Sequence, residues 1–169
     1  MNQLAYQLEK ATRSRFHLWI LNIFLLRYVP FNKPHGIKVV GISEDGITIK
    51  AKNKRHNQNH IKGIHACLLA TLCEYVSGLN LLRQLDIKEY RIILKNIQMT
   101  YHYQAKSAVS ARFGISKTFF EEEIIHPLKT ETAIFKEFTV DIYDESQNHI
   151  CTGLINWQIK SWKNVKTVG

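Results

Sequence analysis

The stretch NHIKGIHACLLATLCEYVSGLNLLR, from Asn59 to Arg83, decides how the chain folds. It opens in the polar, basic run Lys52 to Lys62, rich in Lys, Arg, Asn, Gln and His, which reads as a loop. From Ile64 to Leu82 it is almost continuously apolar. A helix that is apolar nearly all round has to be enclosed by the rest of its domain. Cys, Thr, Glu, Ser and Gly interrupt the run too often for a membrane span.

The flanking sequence supplies the enclosure. Upstream, Ile37 to Ile42 and Ile47 to Ala51 are β-rich and are separated by Glu44-Asp45-Gly46, where Asp-Gly is a strong hairpin signal. Downstream, Arg91 to Tyr103, Ser107 to Phe113, Glu131 to Tyr143 and His149 to Lys160 alternate apolar and polar positions as strands do. Ile115 to Leu128 reads equally as strand or short helix, with Pro127 as an interruption. Leu4 to Tyr28 has the three-to-four-residue apolar spacing of one helix that stops before Pro30. The order predicts an α+β fold: an antiparallel sheet wrapped around one long central helix, with an additional N-terminal helix. Such a sheet leaves an open edge strand, for which pairing into a dimer is the natural remedy.

The 169 residues suit a single domain spanning 1–169, with 1–30 as its N-terminal helical segment. Its 45% hydrophobic and 22% charged content is that of a folded globular chain and leaves no stretch with the composition of a disordered tail. Three cysteines, Cys67, Cys73 and Cys151, are too few for a disulfide framework and form no CxxC pair, which favours a reducing, cytoplasmic location. Arg13 and Arg15 before Leu18 to Leu26 resemble the start of a signal peptide, but no small-residue cleavage site follows. Asn22 and Arg27 break the run short of the roughly 20 residues a bilayer span needs. An amphipathic helix packed on the domain, or lying on a membrane through Trp19, Ile23 and Phe24, fits better.

Along the central helix Cys67, Thr71, Glu74 and Ser77 or Gly78 recur every three or four residues and share one face. Glu74 is the sole ionisable residue between His65 and Arg83. Set among Leu69, Leu72, Tyr75 and Val76, it must be paired or have a raised pKa, the condition of a nucleophile or general base. At the helix start, Gly63, Ile64, His65 and Ala66 present free N–H groups to a developing oxyanion, with His65 alternatively a simple capping residue. Ala66 and Glu74 stand eight residues apart, roughly 12 Å along a helix, so they cannot easily serve one reacting carbon within one chain. A two-fold dimer would bring one chain's helix start to the other's Glu74.

The run Asn59-His60-Ile61-Lys62-Gly63-Ile64-His65-Ala66-Cys67 followed by Glu74 resembles the signature of hotdog-fold thioesterases of the phenylacetate-pathway type: Asn, then His-Gly-Gly, then Asp or Glu on the helix. Trp19 to Asn22, Val29-Pro30-Phe31-Asn32, the Asn-His loop and Glu74 to Gly78 resemble the DUF4442 branch of that superfamily. The resemblance implies a hotdog dimer hydrolysing an acyl-CoA or similar thioester at the protomer interface. Asn59 would orient or polarise the carbonyl, Ala66 N–H would form the oxyanion hole, Glu74 would be nucleophile or base, and Ser77 or Thr71 would position water. Ala66-Cys67 replaces the family's Gly-Gly; Ala66 keeps the N–H, while Cys67 adds bulk. The alternative is a non-catalytic acyl-CoA or lipid binder.

The net charge of +9 and pI near 9.5 favour a polyanionic partner. The diphosphate and 3′-phosphate of coenzyme A, carried as part of the substrate, would meet Lys50, Lys52, Lys54, Arg55 and Lys62. No separate cofactor is expected. His56, His60 and His65 lack the ligand geometry of a metal site, and the dispersed basic residues form no nucleic-acid motif. The expected assembly is a homodimer, with a tetramer as a further option.

Overall fold

The computed structural model describes residues 3–165. Two helices open the chain, α1 (Gln3–Ala11) and α2 (Arg15–Tyr28). The single N-terminal helix expected from apolar spacing is therefore broken at Thr12 to Ser14. Ser14 is in extended geometry, and its hydroxyl accepts the His17 N–H, so it caps α2. Spacing alone does not register this, because the apolar positions continue across the break.

The hairpin β1 (Lys38–Ser43) and β2 (Gly46–Ala51) follows, turning through Glu44 and Asp45. Gly46 has φ +139°, and a Cβ there would sit 2.2 Å from the Phe113 carbonyl oxygen, so only glycine closes this corner. After the basic loop comes α3 (Ala66–Gln84), then β3 (Tyr90–Tyr101), β4 (Val109–Phe113), β5 (Ala133–Asp144) and β6 (His149–Ser161). The ambiguous segment before Pro127 is helical. It comprises α4 (Lys117–Phe120), a π-helical turn over Glu121–Ile125 and α5 (His126–Leu128), with Ser116 as the cap.

The six strands form one antiparallel sheet in the order β1-β2-β4-β5-β6-β3. It curls around α3, which touches β2, β4, β5, β6 and β3. Leu72, Leu79 and Leu81 of α3 pack with Ile47, Ile49, Ile142, Ile150 and Ile155 of the sheet, all fully buried. Each such side chain contributes about 1.5–3 kcal/mol of burial. The fold is the predicted α+β arrangement of a sheet wrapped around a helix.

The two sheet edges differ. On β1 the Asn22 side chain of α2 donates to the Val39 carbonyl and accepts the Val39 N–H, at 2.9 and 2.8 Å, so the helix occupies that edge. The other edge, β3, pairs only with β6. Among the described residues no helix spans the length and hydrophobicity needed to cross a membrane.

Candidate active site

The loop into α3 is built around two asparagines. Asn59 Oδ1 accepts the N–H groups of Ile61 and Gly63, while its backbone N–H bonds the Gly63 carbonyl. This tight turn forces Lys62 into the left-handed region at φ 62°, which its hydrogen bonds must hold in place. Asn57 is almost wholly buried; its Nδ2 donates to the carbonyls of His35 and Lys52, its Oδ1 meets His35 Nδ1, and its carbonyl accepts the His65 N–H. Asn57 thus ties the basic loop to the helix start. The end of β3 fastens the other side, through Gln104 Nε2 to the Ile61 carbonyl, the Ile64 N–H to the Ala105 carbonyl, and the Tyr101 hydroxyl to the Ala66 carbonyl.

These contacts frame a cavity of about 320 Å³ at the first turn of α3, lined by Asn59, Ile64, Ala66, Leu69, Tyr101 and Gln104 among others. His65 caps the helix: its Nδ1 accepts the Cys67 N–H at 3.1 Å. His65 opens on a different cavity of about 240 Å³, shared with Phe31, His35 and His56. Cys67 and Leu68 N–H groups are taken by His65. Among the described residues the Ala66 N–H donates to nothing, and it lies at the positive end of α3. Asn59 Oδ1 is committed to its own turn, and among the described residues the Asn59 NH₂ donates to no protein group.

Glu74 lies elsewhere. It lines a cavity of about 220 Å³ with Tyr28, Val29, Tyr75, Gly78, Leu79, Leu82, Ile92 and Trp157. The carboxylate is half-buried, and among the described residues no cation pairs with it. Burial alone holds its pKa above the ordinary carboxylate range. Of the two expected outcomes, pairing or a raised pKa, the structure has the second.

The polar stripe divides between cavities. Cys67 and Thr71 face the His65 cavity, and the Thr71 hydroxyl donates to the Cys67 carbonyl. Ser77 is turned inward and fully buried; its hydroxyl accepts Trp157 Nε1 at 3.0 Å and lies at hydrogen-bond distance from the carbonyls of Cys73 and Glu74. This geometry takes the Ser77 hydroxyl out of reach of a cavity water, while the Thr71 hydroxyl keeps its acceptor lone pairs toward the His65 cavity, away from Glu74. Gly78 takes the place beside Glu74, and a Cβ there would press on the Trp157 ring at 3.1 Å.

The cations Lys52, Lys54, Arg55 and Lys62 are exposed around the loop and make no ion pair among the described residues, whereas Lys50 is bound to Glu145 at 2.7 Å. Sequence reading missed Asn57, Tyr28, Tyr101 and Trp157. Tyr101 and Trp157 had only the alternation of their strands as a signal. Asn57 had none, being one amide in a loop full of them.

The family model "Domain of unknown function (DUF4442)" matches residues 18–159. No curated protein matches the sequence. Among solved structures the chain is similar to a protein of unknown function from Pseudomonas aeruginosa described as a probable thioesterase. The two share 19% identity over 83% of this chain and 93% of that one, with TM-score 0.71. A thioesterase from Haemophilus influenzae is similar at 15% identity, over 90% and 94% of the two chains, with TM-score 0.65. A mutant form of a second thioesterase from Pseudomonas aeruginosa is similar at 12% identity, over 88% and 97%, with TM-score 0.64. The chain belongs to the DUF4442 family and has the hotdog fold of these thioesterases.

Proposed function

We propose that the protein hydrolyses an acyl-CoA or similar thioester at a site shared between two protomers. The observation that carries this reading is Glu74, a desolvated carboxylate with no cation beside it, in an otherwise apolar cavity. Leaving an unpaired carboxylate there costs stability, and a catalytic base is the chemistry that uses its raised proton affinity. The thioester carbonyl would accept from the Ala66 N–H and the Asn59 NH₂. Glu74 would then take a proton from the attacking water, or attack directly. Collapse of the tetrahedral adduct breaks the C–S bond and expels a thiolate. On the water route the thiolate takes the proton held by Glu74; on the direct route it takes one from water while a second water cleaves the acyl–Glu74 anhydride. Either route ends in a carboxylic acid and a thiol. Exposed Lys52, Lys54, Arg55 and Lys62 supply cations for the coenzyme A phosphates.

The dimer reading rests on β3. Its bulge between Leu94 and Asn96 shifts the alternation, so Ile92 and Leu94 point toward α3 before it, and Ile97, Met99 and Tyr101 after it. Antiparallel pairing of β3 with its own copy, about an axis near Asn96 and Ile97, sets Ile92 of one protomer opposite Tyr101 of its partner, both facing the helices. Ile92 lines the Glu74 cavity and Tyr101 the Ala66 cavity. The pairing would therefore join the two half-sites.

Incubating the protein with acyl-CoAs of graded chain length, beside Glu74→Ala, tests the reading. Thiol release by the wild type and not by the variant is expected; no release above background, or equal release, contradicts it. A non-catalytic acyl binder is the second reading. It is favoured by the helix start, where Cys67 and Leu68 N–H groups and Asn59 Oδ1 are already used, and it predicts saturable acyl-CoA binding without turnover.

A further inference from the structure

Helix α2 is apolar on two sides, and folding uses only one. Leu21 and Leu25 are buried in the core, and Asn22 fixes the helix to β1. On the opposite side Phe16 and Trp19 are 63% and 60% exposed, with their rings stacked at 6.1 Å, and Ile23 is exposed beside them. At the α-helical repeat, Phe16, Trp19, Ile23 and Arg27 fall within an arc of about 80°. Single exposed apolar residues are ordinary, but a contiguous line of large ones marks a contact surface.

The charge around this line selects the contact. Helix α2 contains no acidic residue, and among the described residues Arg15 and Arg27 make no ion pair. The chain carries a net charge of +9. A second copy packed face to face would set uncompensated arginines near one another, and a nucleic-acid duplex, whose bases are stacked inside it, would leave the aromatic and aliphatic centre unmatched. An anionic lipid surface satisfies both features, since aromatic and aliphatic side chains enter the headgroup region while arginines meet phosphates.

We propose that the Phe16–Trp19–Ile23 face of α2 docks on an anionic phospholipid bilayer, with Arg15 and Arg27 at the lipid phosphates. The β3 edge lies across the sheet from β1, so dimer pairing there leaves this face free. The docked helix ends at Tyr28 and Val29, which line the Glu74 cavity, so docking holds the cavity rim near the membrane surface.

The test is cosedimentation of the whole chain with vesicles of equimolar phosphatidylglycerol and phosphatidylcholine, against phosphatidylcholine alone. Trp19 emission is followed in parallel, with Trp19→Phe as the control for Trp157 and Trp162. Binding to the anionic vesicles alone, a blue shift lost in Trp19→Phe, and about tenfold or greater weakening in Phe16→Ser/Ile23→Ser are expected. Arg15→Gln/Arg27→Gln should weaken binding and flatten its salt dependence. Circular dichroism and thermal unfolding of each variant matching the wild type show that the fold is intact. No binding, equal binding to both vesicles, or unchanged binding by the folded Phe16→Ser/Ile23→Ser protein overturns the proposal. So does light scattering in which that variant alone halves the mass of the assembly, because the face would then be covered by another copy.

Discussion

At its first turn α3 presents a donor without a base, and two turns further along it presents a base without a donor. Among the described residues the Ala66 N–H is unspent, in a cavity whose other polar side chains are those of Asn59, Tyr101, His102, Tyr103 and Gln104. Glu74 sits in a cavity whose walls are Tyr28, Tyr75, Trp157, Gly78 and aliphatic side chains. The first region is held by a dense set of hydrogen bonds from Asn57, Asn59, Tyr101 and Gln104, and the second almost wholly by packing. Neither half polarises a carbonyl and activates water by itself. On the proposed reading the reactive unit is larger than one chain, and its two halves respond differently to mutation.

The largest effect expected is at the base. Glu74→Gln keeps shape and burial but cannot accept a proton, and should lower kcat for thioester hydrolysis by about 10²–10⁴-fold with little change in substrate binding. At the donor end, Ala66→Pro replaces the N–H by a ring methylene. Proline is well tolerated at the first helical position, and His65 already has the extended geometry (φ −66°, ψ 138°) that a following proline requires. A fall in kcat of about 10²–10³-fold with unchanged helix content is expected.

Next comes the scaffold of the donor half. Asn57→Ala deprives the carbonyls of His35 and Lys52 of a donor at a buried position, and should cost about 2–4 kcal/mol in urea unfolding. The smallest effect is on stability at the base. Because burial raises the Glu74 pKa in the folded state, the native chain holds that proton more tightly than the unfolded chain does. Stability is therefore lost as pH rises from the ordinary carboxylate pKa through the raised one. Glu74→Gln should be more stable than the wild type at neutral pH, and that advantage should fade toward about pH 4. Thermal unfolding of both across this range checks the sign.

The parts of the fold that were legible in sequence are those set by long, local patterns. The apolar run of α3 and the alternation of β5 and β6 are too extended to read otherwise, and Asp45-Gly46 marks its hairpin through backbone conformation alone. The break before α2 was hidden because one hydroxyl, that of Ser14, decides it. The helical turns from Lys117 to Leu128 were hidden because a π-helical turn has no apolar period of its own. At the site, Glu74 stood out as a lone acid in an apolar run. The commitment of Ser77 could not be seen, because its partner Trp157 arrives from β6 at the far end of the sequence. The same reason hid the wall around Glu74, which is assembled from α2, α3, β3 and β6.

The central claim, that Ala66 of one protomer and Glu74 of the other serve one thioester, is tested most directly by subunit complementation. Glu74→Gln and Ala66→Pro proteins, each nearly inactive, are unfolded together in equal amounts, refolded and assayed. A shared site predicts recovery of about one quarter of wild-type turnover per chain, because half the dimers are mixed and each mixed dimer holds one intact site. Turnover that stays at the level of the two parents, with mixed dimers demonstrated by mass spectrometry, would contradict it.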